Sequence, residues 1–98
     1  MSRISVEEIS RGLGISEEEL LEKGLVAYLE KELRLAEQDI AKLKERYKAS
    51  SPEQLEEFIA SGKIYSHPAW EDLIVWENTL HHTEKMKKLL KGIQIEVA

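Results

Sequence analysis

From Glu17 to Lys48 the chain runs without a proline, and Val26, Leu29, Leu33, Ala36, Ile40, Leu43 and Tyr47 recur along it at steps of alternately three and four residues. A mean spacing of 3.5 lays one apolar seam down a long helix, and such seams pack along nearly parallel axes. A second seam follows at Ala69, Leu73, Trp76, Leu80, Thr83, Lys87 and Leu90. Two matching seams in one chain predict an intramolecular helical hairpin.

The boundaries are written in caps. Ser5-Val6-Glu7-Glu8, Ser16-Glu17-Glu18-Glu19 and Ser51-Pro52-Glu53-Gln54 each fit a capping box, in which the serine hydroxyl accepts an orphan first-turn N–H. Pro52 suits a first helical position, and Ser66-His67-Pro68 repeats that device for a fourth helix. Gly12, Gly14, Gly62 and Gly92 read as stops. The expectation is one all-α domain over residues 1–98. It divides into a short helix and turn at 1–16, a long helix at 17–48, a short helix at 52–61, a second long helix at 68–91, and a tail at 92–98. The strict alternation of Ile93-Gln94-Ile95-Glu96-Val97 reads as an extended strand or an unpaired end.

The first long helix has more apolar surface than one seam uses. Leu20, Leu21, Leu25, Tyr28 and Leu35 lie off it, and Leu25-Val26-Ala27-Tyr28-Leu29 is apolar all round. A chain of 98 residues has little else to cover such a stretch. A homodimer is therefore expected, with Leu21, Leu25, Tyr28 and Leu29 at its interface.

Composition narrows the function classes. Without cysteine the chain holds no disulfide, no cysteine-ligated metal and no thiol nucleophile. No apolar run approaches the ~20 residues of a membrane span, and MSRISVEEIS lacks the hydrophobic stretch of a signal peptide, so the expected setting is cytoplasmic. Nineteen acidic against fourteen basic residues disfavour broad nucleic-acid binding.

The stretch from Leu13 to Lys31 carries a Gly-x-Ser turn (Gly14, Ile15, Ser16), an acidic first turn, then Leu20, Leu21, Leu25 and Leu29 on one face. It resembles the turn and second helix of ribbon-helix-helix proteins, the dimeric DNA-binding modules common among bacterial and archaeal antitoxins. The resemblance implies dimerisation through that helix and, for the rest of the chain, a partner-binding extension of the kind small prokaryotic antitoxins carry. It also implies a DNA-binding alternative through Arg3, Ser5, Gly14 and Ser16, as a helix-turn-helix start would. The family's recognition strand would be confined to Met1–Ile4, and its first helix, Val6–Arg11, is shortened. The three glutamates after Ser16 would repel a phosphate from the helix N-terminus.

Other chemistry is sparse. Glu77 and His81 share a helix face at i, i+4, with Glu84 three residues on, but no second ligand pair completes a metal site. No cofactor is expected. No phosphate loop, serine elbow or triad order can be placed, so an enzyme is not expected either, although a small metal-dependent or hydrolytic helical enzyme stays among the alternatives. The clusters Lys42, Lys44, Arg46, Lys48 and Lys85, Lys87, Lys88, Lys91 sit where cations complement helix C-termini. The remaining feature is the run Trp70-Glu71-Asp72-Leu73-Ile74-Val75-Trp76. It leads to the expected function: a non-enzymatic, antitoxin-like module that occludes a partner protein through Trp70, Leu73, Ile74 and Trp76, the acidic balance suiting a basic, toxin-like partner. A purely structural dimer within a larger complex is a further alternative.

Overall fold

The computed structural model describes residues 3–97, with side chains through Ile93. Four helices follow in order: α1 (Val6–Leu13), α2 (Glu17–Tyr47), α3 (Pro52–Ala60) and α4 (Ser66–Val97). There is no strand among the described residues. The chain is an all-α helical hairpin of two long and two short helices.

Each expected serine cap is formed. Ser5 Oγ accepts the Glu8 N–H at 3.1 Å, Ser16 Oγ that of Glu19 at 3.0 Å, and Ser51 Oγ that of Gln54 at 3.1 Å. Gln54 completes the third box one residue early, its Oε1 accepting the Ser50 N–H at 2.7 Å. Gly14 ends α1 with φ 72° and Gly62 follows α3 with φ 80°. Lys48 closes α2 in the same left-handed region, at φ 51°.

The two other expected stops do not stop. Gly12 lies inside α1 and Gly92 inside α4, which runs on to Val97 instead of giving way to a strand or unpaired end. An established helix adds one hydrogen bond per residue with no new nucleation, and β-branched residues disfavour helix by only a few tenths of a kcal/mol. An isolated strand has no ladder to join. At its other end α4 becomes regular at Pro68, because His67 holds extended angles (φ −118°, ψ 124°). Met1 and Ser2, half of the proposed recognition strand, lie outside the described residues. Arg3, Ile4 and Ser5 are neither strand nor helix.

α2 and α4 pack antiparallel, with Arg46 and Tyr47 beside Asp72, and Glu32 to Asp39 sharing a groove with Val75 to His82. From α2 the seam contributes buried Ala36, Ile40 and Leu43, flanked by half-buried Val26, Leu29, Leu33 and Tyr47. From α4 come Ala69, Leu73, Trp76 and Thr83, with Leu80 and Leu90 half-buried. The seam then departs from its expected course: Lys87 is exposed and Met86 takes the buried place, at 2% exposure. An ammonium cannot be left unpaired in the interior, and the 3.6-residue turn lets the preceding thioether swing in. Thr83, the polar member, donates to the Leu80 carbonyl at 2.7 Å.

The best-covered part lies at one end, where α3 closes over the hairpin. Ile40, Leu43, Ala49, Leu55, Ala69, Leu73 and Trp76 form that core, and Leu55 and Trp76 have no exposure at all. At the opposite end α1 packs on the start of α2, with Ser10 buried between them and donating to the Glu7 carbonyl. The whole measures 60 × 37 × 16 Å with a radius of gyration of 19.6 Å. A compact chain of this length has a radius near 13 Å, so the fold is elongated. It is a two-helix hairpin that α3 covers at one end and α1 at the other.

Candidate functional site

An elongated fold leaves many apolar side chains uncovered: Ile4, Val6, Ile9 and Leu13 around α1, Leu89 late in α4, and two further sets on α4 and α2. The first is on α4. Of the four residues expected to grip a partner together, Leu73 (2% exposed) and Trp76 (0%) are core instead. Their three-residue step follows the seam, which points them at α2 and α3. Trp70 and Ile74, each 49% exposed, form an i, i+4 ridge on the outside of the same helix. Tyr65, in the turn that leads into α4, is 91% exposed.

The second face is on α2. Leu21, Leu25, Tyr28 and Leu35 are all exposed, and their spacing of four, three and seven keeps them on one side of the helix. Leu29, expected among them, belongs to the seam and is half-buried. The apolar face extends across the hairpin, because Leu35 and Ala36 share an open groove with Val75 and Thr79 of α4, rimmed by Glu32 and Asp39. Val75 was missed in the sequence. It sits between Ile74 and Trp76 in an unbroken apolar run, which hides which member faces which way.

A third depression runs between α3 and α4, lined by Pro52, Glu53, Glu56, Glu77, His81 and Glu84. It brings Glu77 and His81 together with Glu84. Among the described residues, however, no group of three or more His, Asp or Glu side chains is arranged to hold a metal ion. The DNA-binding candidates are used locally: Ser5 and Ser16 spend their hydroxyls as caps, Gly14 supplies the turn between α1 and α2, and Arg3 is outside both helices.

A family model described as "Uncharacterized protein MJ0235 family" matches residues 1–98, the whole chain. The chain belongs to the MJ0235 family. No curated protein and no solved structure matches it.

In this MJ0235-family chain a polar cluster ties the two arms of the hairpin together. Asp72 on α4 accepts from the Tyr47 hydroxyl and, at 3.0 Å, from Arg46 Nη1. Burial, followed by the hydrogen bond to Asp72, pushes the Tyr47 phenol above its ordinary range. The hydrogen bond to Asp72 likewise raises Arg46. Of the basic cluster at the end of α2, Arg46 is therefore engaged within the fold, and Lys48 pairs with Glu45 at 2.6 Å, which lowers the Glu45 carboxyl. Among the described residues no helix is long and apolar enough to cross a membrane. What the arrangement offers is apolar surface on α2 and on α4, each carried by a long helix.

Proposed function

We propose that the chain is a non-enzymatic protein-interaction module that works by occlusion. The outer ridge of α4, anchored by Trp70 and Ile74, lies in an apolar groove of a partner protein and covers it. The observation that carries this reading is Trp70, half exposed on a helix whose seam residues Leu73 and Trp76 are locked in the core. A large aromatic on a rigid scaffold buries its area without the ordering entropy that a loop would lose, and such residues dominate interface energetics.

Charge supports the choice of partner. Glu71 and Glu77 border the ridge, and the chain carries a net charge of −5, so the complementary surface is basic. The antitoxin-type role implied by the ribbon-helix-helix resemblance falls within the same reading, with a basic, toxin-like protein in a prokaryotic cytoplasm as partner. DNA reading has less behind it, since Ser5 and Ser16 act as caps and Glu17, Glu18 and Glu19 crowd the start of α2.

The test is a photo-reactive residue placed at position 70, with exposed Arg34 as control position, in cells of the native host. The expected result is one discrete partner trapped from position 70 and none from position 34. Trapping of the same mixture from both positions contradicts the reading. A mobility shift with promoter DNA that weakens steeply with salt would favour DNA binding instead.

A further inference from the structure

Trp70, Ile74, Glu77, His81 and Glu84 recur along α4 at steps of four, three, four and three residues, and all five are exposed. That spacing puts them in one stripe on the helix surface. The stripe changes character along its length. It starts as the apolar ridge of Trp70 and Ile74 and continues as acid. Glu77 and Glu84 stand seven and fourteen residues past Trp70, about 10 and 21 Å along the helix. Where the glutamates begin, α3 comes alongside. Glu53 and Glu56 line an open trough together with Glu77, His81 and Glu84, and Pro52 and Leu80 supply its apolar surface.

The charge in this trough is uncompensated. None of its four carboxylates is in an ion pair among the described residues. Only Glu84 has cations within a turn of its own helix, Lys87 and Lys88, and Lys87 lines the depression between α2 and α4 instead. At ≈ 260 Å³ the trough is smaller than the roughly 300–1,000 Å³ of small-molecule pockets. Its size and charge suit a few long cationic side chains, which offer an apolar stem to Leu80 and Pro52 and a charge to the glutamates.

We infer that the trough receives Lys or Arg side chains from the same partner whose groove takes Trp70 and Ile74. The inference rests on that reading of the ridge and adds the layout of the partner's surface: an apolar groove with a basic patch that begins about 10 Å beyond it, in the direction of Glu84. A partner docked end for end keeps the apolar contact and forfeits the four glutamates, so charge sets the direction of docking.

The probe is a fluorescein-labelled, helix-forming peptide of roughly 18 residues, about 27 Å long, with leucines in one half and arginines in the other. Its binding to the full chain is read by fluorescence polarisation. Glu53→Gln, Glu56→Gln, Glu77→Gln and Glu84→Gln together are expected to weaken binding at least about tenfold and to flatten its salt dependence. A control set of exposed acids elsewhere, Glu18→Gln, Glu30→Gln, Glu37→Gln and Asp39→Asn, reaches the same net charge and is expected to weaken binding less than about twofold. Circular dichroism matching the wild type confirms that both variants are folded.

Equal weakening by the two sets overturns the trough, because net charge alone then explains the binding. Absence of binding at millimolar peptide overturns it too. So does a lower particle mass for the trough variant than for the control in light scattering, because lysines of a second copy are then the occupant. Trp70→Ala keeps the two readings apart. Loss of binding in Trp70→Ala, with the trough variant no weaker than the control, upholds the ridge and overturns the trough. The reverse pattern supports the trough and contradicts the ridge.

Discussion

Arg46 Nη1 lies 3.0 Å from Asp72 Oδ2, tying the last turn of α2 to the beginning of α4 across a span of twenty-six residues. Asp72 also takes the Tyr47 hydroxyl, so one carboxylate fastens two neighbouring residues at the end of the hairpin that carries the core. Arg46 is mostly exposed, and its part is screened by solvent. Asp72 itself is only 20% exposed, and Asp72→Ala leaves a half-buried hydroxyl without its acceptor. The expected loss is about 1–2 kcal/mol in urea denaturation. Arg46→Ala is expected to shift the urea midpoint much less than Asp72→Ala does.

Tyr47 also sets an alkaline limit. Its folded-state pKa is raised, first by burial and then by Asp72, so the unfolded chain gives up the phenolic proton at a lower pH than the folded one. The associated stability is present in full below the unfolded value, near pH 10, and is lost as pH climbs from there through the folded value. Denaturation midpoints between pH 8 and 11 are expected to fall in the wild type and to fall less steeply in Tyr47→Phe. That variant sacrifices about 1 kcal/mol at neutral pH through the lost hydroxyl bond.

The two tryptophans are expected to behave oppositely. Trp76 has no exposed area, and Trp76→Ala is expected to remove roughly 3–5 kcal/mol or to prevent folding. Trp70→Ala is expected to change stability by less than about 1 kcal/mol. Fluorescence gives the same answer without a cavity: acrylamide quenches the Trp76→Phe protein, which reports Trp70, far more than the Trp70→Phe protein.

Gly12 and Gly14 differ in sign. Both have open space where a Cβ would go, but Gly12 is helical and Gly14 sits at φ 72°. Gly12→Ala is expected to strengthen α1 by up to about 1 kcal/mol, and Gly14→Ala to weaken its junction with α2 by about 1–2 kcal/mol. Amide exchange within α1 reads both changes.

The serine caps and the two seams state the helices and their pairing, since both are local patterns tied to backbone geometry. Which residues stay uncovered is harder to see. Trp70 follows Ala69 by one position, about 100° around the helix, and that step separates a ridge in solvent from a core. Within Leu73-Ile74-Val75-Trp76 every side chain is apolar, so composition cannot tell the two core members from the exposed pair. The exchange of Lys87 for Met86 and the helical course of 93–97 arise from tertiary packing and helix propagation. A period counted along the chain contains neither.

Whether α2's exposed face is an interface is decided most directly by the solution mass of the unmodified chain, from light scattering between low and high micromolar concentration. The account predicts twice the single-chain mass, reverting to one chain when Leu25→Lys puts a charge on that face with the helical signal intact. A single-chain mass across the whole range would contradict it.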